Sequence, residues 1–135
     1  MKLKIVSCLL ILGMLVSSFT AAAQTSTSPL SVLNELERVL YGDAREGALL
    51  SRVEDLEMEI FGSPQSGPVM TRIDRIDDYL SGDLHGTGLK LQLNLVEWGF
   101  LEQLATSEPL MSRLERIELE FIGELQQGAI VDRLE

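Results

Sequence analysis

Apolar residues recur at helical spacing along this chain, in a unit of 20 residues. In the unit that starts at residue 48 the apolar positions are spaced 4, 3 and 4 residues apart: Leu49, Val53, Leu56 and Ile60. The next unit, which starts at Pro68, repeats this spacing with Val69, Ile73, Ile76 and Leu80. Such spacing places all four side chains on one face of an α-helix, so the pattern predicts short amphipathic helices.

Glycines separate the units. Three pairs are five residues apart, and a further glycine ends the unit between them: Gly42 and Gly47, Gly62 and Gly67, Gly123 and Gly128, and Gly82. A glycine just after a helix suits a left-handed cap, and Pro68 and Pro109 suit a first helical turn. On one continuous helix, stripes 20 residues apart would point in nearly opposite directions, so we expect the chain to break at the glycines.

The predicted fold class is therefore all-α. Helices of about 14 residues, joined by Gly-x4-Gly turns, are expected to pack as an up-and-down bundle or a stacked array of helical hairpins, since isolated helices of this length are marginal in water. The helical repeat domain covers 29–135, after a polar lead-in at 24–28. Its units end near residues 42, 62, 82, 102 and 123, and the last unit is incomplete.

The fourth unit departs from the repeat. Its leucines at 89, 91, 93 and 95 alternate with polar residues, which is typical of a strand, whereas Leu89, Leu93 and Phe100 also fit helical spacing. We favour a helix because the neighbouring units impose their period. Trp98, the only tryptophan, lies beside this stripe. The simpler interpretation makes it a core or half-core residue; the functional one makes Trp98, Leu91 and Leu95 a partner-binding surface.

Residues 1–23 have the layout of a secretory signal peptide: Lys2 and Lys4, an apolar run, and three alanines at 21–23. The apolar run is shorter than the roughly 20 residues that a membrane-spanning helix needs. We expect an exported protein, periplasmic, in the cell envelope or extracellular, with no stable membrane span after signal removal. The only cysteine, Cys8, would leave with the signal, so the mature chain could form no internal disulfide.

The charge balance excludes some partners. Removal of residues 1–23 would take two of the 11 basic residues and none of the 21 acidic ones, leaving a net charge of about −12. Such a chain has no basic surface for nucleic acid, and an anionic membrane would repel it. In the simplest interpretation the negative charge keeps the protein soluble. In the more specific interpretation it attracts a basic partner.

Two rows of charged residues recur in the units. In each of five units an acid directly follows a residue of the apolar stripe: Glu37, Glu57, Asp77, Glu97 and Glu118. An arginine recurs nearer the start of four units: Arg52, Arg72, Arg113 and Arg133. Within one helix the two positions are too far apart around the axis to pair. They could pair between neighbouring helices and set the stacking register, or both side chains could extend into water. A metal or acid–base role for the acids is the weaker alternative.

No catalytic motif stands out in the sequence. His85 is the only histidine, so no histidine-based metal cluster can form around it. The glycine-rich segment 83–88 lacks the Gly-Lys-Ser/Thr order of a phosphate-binding loop. No grouping suggests a Ser–His–acid triad. We predict no enzymatic activity, no catalytic or metal-binding residues and no cofactor.

The repeat carries a weak family resemblance. The pattern is Leu-Glu, two further residues, an apolar-aromatic pair and glycine, followed by a second glycine, an apolar pair and arginine. It rests on residues 36–62 and again on residues 113–135. This combination resembles the 20-residue helical repeats of uncharacterised secreted or envelope proteins of bacteria. The resemblance implies a repeat architecture and an exported protein, and it implies no activity.

We therefore predict an exported, non-enzymatic helical-repeat protein that acts as an interaction or scaffold module in the cell envelope, with a protein partner; a homo-oligomer is compatible with this. The alternative is a cell-wall or glycan-binding module, which would expose Trp98 and Tyr41 or Tyr79 on one concave face. A remote alternative is the amino-terminal accessory part of a larger secreted enzyme. An enzymatic role of this chain itself would require a buried acid with a perturbed pKa, among Glu57, Asp77 and Glu97, lining a pocket.

Overall fold

The computed structural model describes residues 28–82 and 88–134, in which all regular secondary structure is helical and irregular linkers join the helices. The helices are α1 Pro29–Tyr41, α2 Leu49–Phe61, α3 Val69–Asp77, α4 Leu89–Val96, α5 Leu110–Phe121 and α6 Ile130–Arg133. α3 and α4 continue as π-helical turns at Asp78–Gly82 and Glu97–Leu101. The described residues contain no strand, which confirms the all-α prediction and the helical interpretation of the fourth unit. The predicted signal peptide, nearly all of the lead-in and His85 lie outside the described residues.

The glycines end the helices as the repeat requires. Gly42 has φ 97° and donates its N–H to the Arg38 carbonyl, and Gly62 has φ 73° and donates to the Met58 carbonyl. All seven predicted turn glycines have positive φ: Gly42, Gly47, Gly62, Gly67, Gly82, Gly123 and Gly128. Glycine adopts this left-handed backbone without the steric cost that a Cβ brings. The linkers 42–48 and 62–68, of seven residues each, are slightly longer than the predicted turns.

The apolar stripes of the six helices share one core. Its fully or nearly fully buried members are Leu33, Leu36, Leu40, Val53, Leu56, Ile60, Ile73, Ile76, Leu80, Leu89, Leu93, Leu110, Leu114 and Ile130. Each such side chain contributes about 1.5–3 kcal/mol on burial, which offsets the entropy lost by ordering short helices. The helices thus stabilise one another.

Helices distant in sequence also pack together. α1 contacts α2, α3 and α5, and α2 contacts α6. The start of one helix lies at the end of another: a Cβ on Gly42 would stand 2.9 Å from Pro109 Cγ, and one on Gly62 would stand 3.3 Å from Ala129 Cβ. Gly88, at the start of α4, lies against the backbone of Gly82 at the end of α3. The Gly42–Pro109 and Gly62–Ala129 contacts join non-consecutive units, so the described helices form a bundle rather than an open array.

Members of the two charged rows meet in buried pairs that link consecutive helices. Arg52 donates from Nε to Glu37 Oε1 at 2.9 Å and from Nη2 to Glu37 Oε2 at 2.6 Å. The same two-bond geometry joins Arg72 to Glu57, Arg113 to Glu97 and Arg133 to Glu118. In every pair the glutamate Oε2 also accepts a backbone N–H from the linker eight residues later, from Arg45, Gln65, Ala105 and Gln126 respectively. We call these four ion pairs the Glu–Arg pairs.

Asp77 is an exception to the expected row of acids. It is exposed, and its Oδ1 accepts a hydrogen bond from Ser81 Oγ at 2.9 Å. The other acids meet their arginines 15 or 16 residues later, but residue 92 is glutamine. The interpretation of Asp77 as a partner in the row was wrong, because this junction has a shorter acid and no arginine at the matching position.

Removal of one partner from a Glu–Arg pair tests its structural role. Arg72→Ala leaves the Glu57 carboxylate buried without its main counter-charge, so we expect unfolding free energy to fall by about 3–5 kcal/mol, read from urea denaturation. The control is Arg38→Ala, since Arg38 is exposed and pairs only with exposed Glu35; it should cost less than about 1 kcal/mol. Equal urea midpoints for both variants would contradict a register-setting role.

Candidate functional site

Three of the buried acids, Glu57, Glu97 and Glu118, are held in their ionised form. Burial alone would raise the pKa of Glu57, but the hydrogen bonds from Arg72 and from the Gln65 N–H outweigh it, so this pKa lies below its usual value. The pKa of Glu97 is lowered in the same way by Arg113 and the Ala105 N–H, against the effect of burial. A general acid or base near neutral pH needs a raised carboxyl pKa, which these residues do not have.

The described residues also offer no obvious metal centre. Within 28–82 and 88–134, no group of three or more His, Cys, Asp or Glu side chains is placed to hold a metal ion. Glu97 lines a surface cleft with Phe100, Gln103 and Glu120. Its charge is already matched there, because Glu97 accepts hydrogen bonds from both Arg113 and Arg116. The cleft therefore holds a completed ion-pair network.

The two tyrosines do not form an open aromatic surface. The Arg45 guanidinium lies 3.7 Å from the centre of the Tyr41 ring, and burial raises the pKa of Tyr41 to about 12. Tyr79 packs edge-to-face on Phe61, with ring centres 5.5 Å apart. Both tyrosines are half-buried. The concave aromatic face that the glycan interpretation requires is thus not formed by Tyr41 or Tyr79 with Trp98.

The three residues singled out in the fourth unit lie on the outer side of α4. Leu91, Leu95 and Trp98 are 48%, 60% and 65% exposed. Their spacing of four and three residues places them along one helix face. We call these three residues the α4 face. The core or half-core interpretation of Trp98 was wrong, because Trp98 follows the buried Glu97 at a position that points outward in every long helix.

Comparison of the helices with one another shows that the α4 face is specific to α4. Aligned on the acid of each unit, the position of Leu91 is occupied elsewhere by Ser31, Ser51, Thr71 and Ser112. The position of Leu95 is occupied by Glu35, Asp55, Arg75 and Arg116. Two outward positions that are polar or charged in the other four long helices are thus leucine in α4. Because these residues are exposed, the core does not require them to be apolar.

Glu102, a residue that sequence reasoning did not single out, follows the α4 face. Its φ of 52° is left-handed, and it is the only non-glycine residue with positive φ in the part of the chain that the structure describes. Other units have Gly42, Gly62, Gly82 or Gly123 here. A side chain in this conformation costs roughly 1 kcal/mol relative to glycine. The missing glycine at 102 was the sequence signal that could have identified this residue.

Comparison with family models, with curated proteins and with solved structures gives no match. The resemblance to bacterial envelope repeats therefore stays a prediction. No helix of the described segments has the length and apolar character that a bilayer crossing demands.

The lowered carboxyl pKa values predict a loss of stability in acid. A carboxyl whose pKa is lower in the folded state stabilises the fold above its unfolded-state pKa, and this contribution is lost as pH falls through the folded-state value. With Glu57, Glu97 and Glu118 all lowered, we expect constant unfolding free energy from neutral pH down to about pH 5 and a decline below about pH 4.3. Urea denaturation across a pH series measures this.

The exposed acid Asp77 provides the control for the pH series. Asp77→Asn should follow the wild-type decline, because Asp77 takes part in no Glu–Arg pair. Stability that stays constant down to pH 3, or that declines already above pH 6, would contradict the assignment of acid sensitivity to the buried pairs.

Glu102→Gly should stabilise the protein. Glycine removes the strain of the left-handed backbone, so we expect unfolding free energy to rise by about 0.5–1 kcal/mol in urea denaturation. Glu124→Gly is the matched control, since Glu124 is an exposed linker acid outside the left-handed region, where glycine should be neutral or destabilising. A lower midpoint for Glu102→Gly than for wild type would contradict this account.

Proposed function

We propose that the protein is an exported, non-enzymatic interaction module of the bacterial cell envelope that binds a partner protein through the α4 face. The supporting observation is that Leu91 and Leu95 replace Ser, Thr or charged residues of the other long helices and stand exposed beside Trp98. An exposed apolar patch on one helix face is a typical protein-interaction site, and tryptophan is among the residues that most often anchor such an interface.

Export is supported by the signal-like layout of residues 1–23 and by the acidic composition. The four Glu–Arg pairs are neutral within the fold, so the excess negative charge lies on the surface. A strongly charged surface keeps an exported protein soluble in spite of an exposed apolar face.

The glycan-binding alternative has less support. A sugar-binding platform needs open aromatic faces in one plane, and the two tyrosines that this interpretation would place beside Trp98 are covered by Arg45 or packed on Phe61. A single tryptophan flanked by two leucines suits an apolar helix or strand of a protein better than a polar sugar ring.

Affinity capture tests the proposal. The immobilised protein is incubated with a cell-envelope extract, in parallel with Trp98→Ala and with Met58→Ala as the matched control. Met58 occupies the position in α2 that Trp98 occupies in α4, and it is similarly exposed. We expect wild type and Met58→Ala to retain the same partner and Trp98→Ala to retain about tenfold less, because loss of a central aromatic anchor typically costs over 1 kcal/mol.

Protease treatment of the extract separates the candidate functions. Capture through the α4 face should be abolished by the protease, whereas a glycan ligand would survive it. Equal retention by wild type and Trp98→Ala would contradict the role of the α4 face.

A further inference from the structure

The carboxyl ends of α4 and α5 expose a position that is core in the other long helices. Three residues after the acid of each unit, Leu40, Ile60 and Leu80 are fully buried. The equivalent residues of the next two units are Phe100, which is 70% exposed, and Phe121, which is 50% exposed. The two rings pack edge-to-face with centres 5.2 Å apart. Other exposed apolar residues close by in sequence are Leu104, Ile122 and Leu125. We call these five residues the open end.

In the other units a helix start lies at the position that the open end leaves uncovered. The start of α5, at Pro109, lies on the end of α1 at Gly42, and the start of α6, at Ala129, lies on the end of α2 at Gly62. Gly88 brings the start of α4 to the end of α3. At the end of α5, by contrast, a Cβ on Gly123 would have no described neighbour within 4 Å. At the ends of α1, α2 and α3 the start of another helix covers the last apolar residues. A helix start is therefore the element that would fit on the open end.

The negative charge around the open end indicates that a basic helix would fit there. The exposed acids Glu102, Glu120 and Glu124 stand next to the apolar residues of the open end in sequence. The nearby Arg116 is already engaged, because it donates to Glu97 at 2.7 Å and to Glu108 at 2.6 Å. A helix amino terminus carries the positive end of the helix dipole, so an acidic surround attracts it. Lysine or arginine on the incoming helix would strengthen this attraction.

We propose that the open end binds the amino-terminal turn of a basic amphipathic helix from a partner protein. The apolar first turn of that helix covers Phe100 and Phe121 and lies over Gly123, as Pro109 lies over Gly42. The site is separate from the α4 face, since Trp98 and Phe100 are two residues apart and point to different sides of the helix. It does not depend on the proposed function.

Two synthetic peptides test this proposal. Both are about 18 residues long, because shorter helices are marginal in water, and both carry the same leucine stripe behind an N-terminal Ser-Pro start. The polar face is lysine in one and glutamate in the other. Binding of each labelled peptide to the purified protein is measured by fluorescence anisotropy. We expect the lysine peptide to bind, more weakly at high salt, and the glutamate peptide not to bind.

Variants of the protein locate the binding. The double variant Phe100→Ala, Phe121→Ala should bind the lysine peptide about tenfold more weakly or worse. Leu50 is an exposed leucine on α2, and Leu50→Ala should leave the affinity unchanged. Glu120→Gln with Glu124→Gln leaves the apolar contacts intact and should weaken binding by about threefold at low salt. Circular dichroism of each variant confirms that the helices are retained.

Three results would overturn the proposal. The first is equal binding of both peptides, or of neither. The second is binding that is lost in Trp98→Ala but kept in the phenylalanine double variant, which would assign the peptide to the α4 face. The third is self-association of the protein that the phenylalanine variant abolishes, which would make a second copy the occupant of the open end.

Discussion

A buried carboxylate shared by three segments of chain is the constraint on which this fold depends. In each Glu–Arg pair the glutamate lies in the last turns of one helix, accepts an N–H from the linker and receives the arginine at the start of the next helix. An ionised glutamate away from water is unfavourable unless its oxygens are saturated. Three donors saturate it only when helix end, linker and helix start stand in one geometry. The charge thus couples the register of neighbouring helices, while the apolar stripes provide the stabilising free energy.

This arrangement leaves the outer positions of each helix free to vary. The stripe, the acid, the arginine and the cap glycine meet the packing requirements, so a serine or a glutamate on the outside can become leucine without disturbing the core. In the fourth unit leucine stands at two such positions beside Trp98, and Glu102 stands where the other units have the cap glycine. The Glu–Arg pair of the same helix, Glu97 with Arg113, is intact. The outer surface of α4 therefore differs from that of the other helices, while its ion pair to the next helix is the same.

The same repeat explains where the core is incomplete. Leu40, Ile60 and Leu80, the last stripe residues of their helices, are fully buried where the start of another helix lies against the helix end. α4 and α5 keep large apolar residues at the equivalent position, and among the described residues no helix start covers them. Phe100 and Phe121 pack on each other in part compensation. A surface of this kind has the composition of a core and the exposure of a binding site, which is the combination that distinguishes docking surfaces from ordinary solvent-facing patches.

Local features of the sequence determined most of the secondary structure. The spacing of Leu49, Val53, Leu56 and Ile60 and the glycine after Phe61 predicted the helix and its cap, because both depend on interactions within a few residues. The acid inside the apolar arc also indicated an inter-helix contact for Glu57. Even the fourth unit, with its strand-like alternation of leucines, followed the helical period of its neighbours.

Only the tertiary structure decided which helix covers which. Whether Trp98 was core or surface, and whether Phe100 was buried like Ile60, depended on the placement of residues far away in sequence. Ile60 and Phe100 occupy equivalent positions of the 20-residue repeat, so the spacing of apolar residues cannot predict that one is buried and the other exposed. They differ because α6 begins at the end of α2 and no described helix begins at the end of α4; burial is a property of neighbours in space, and helical spacing reports only neighbours along the chain.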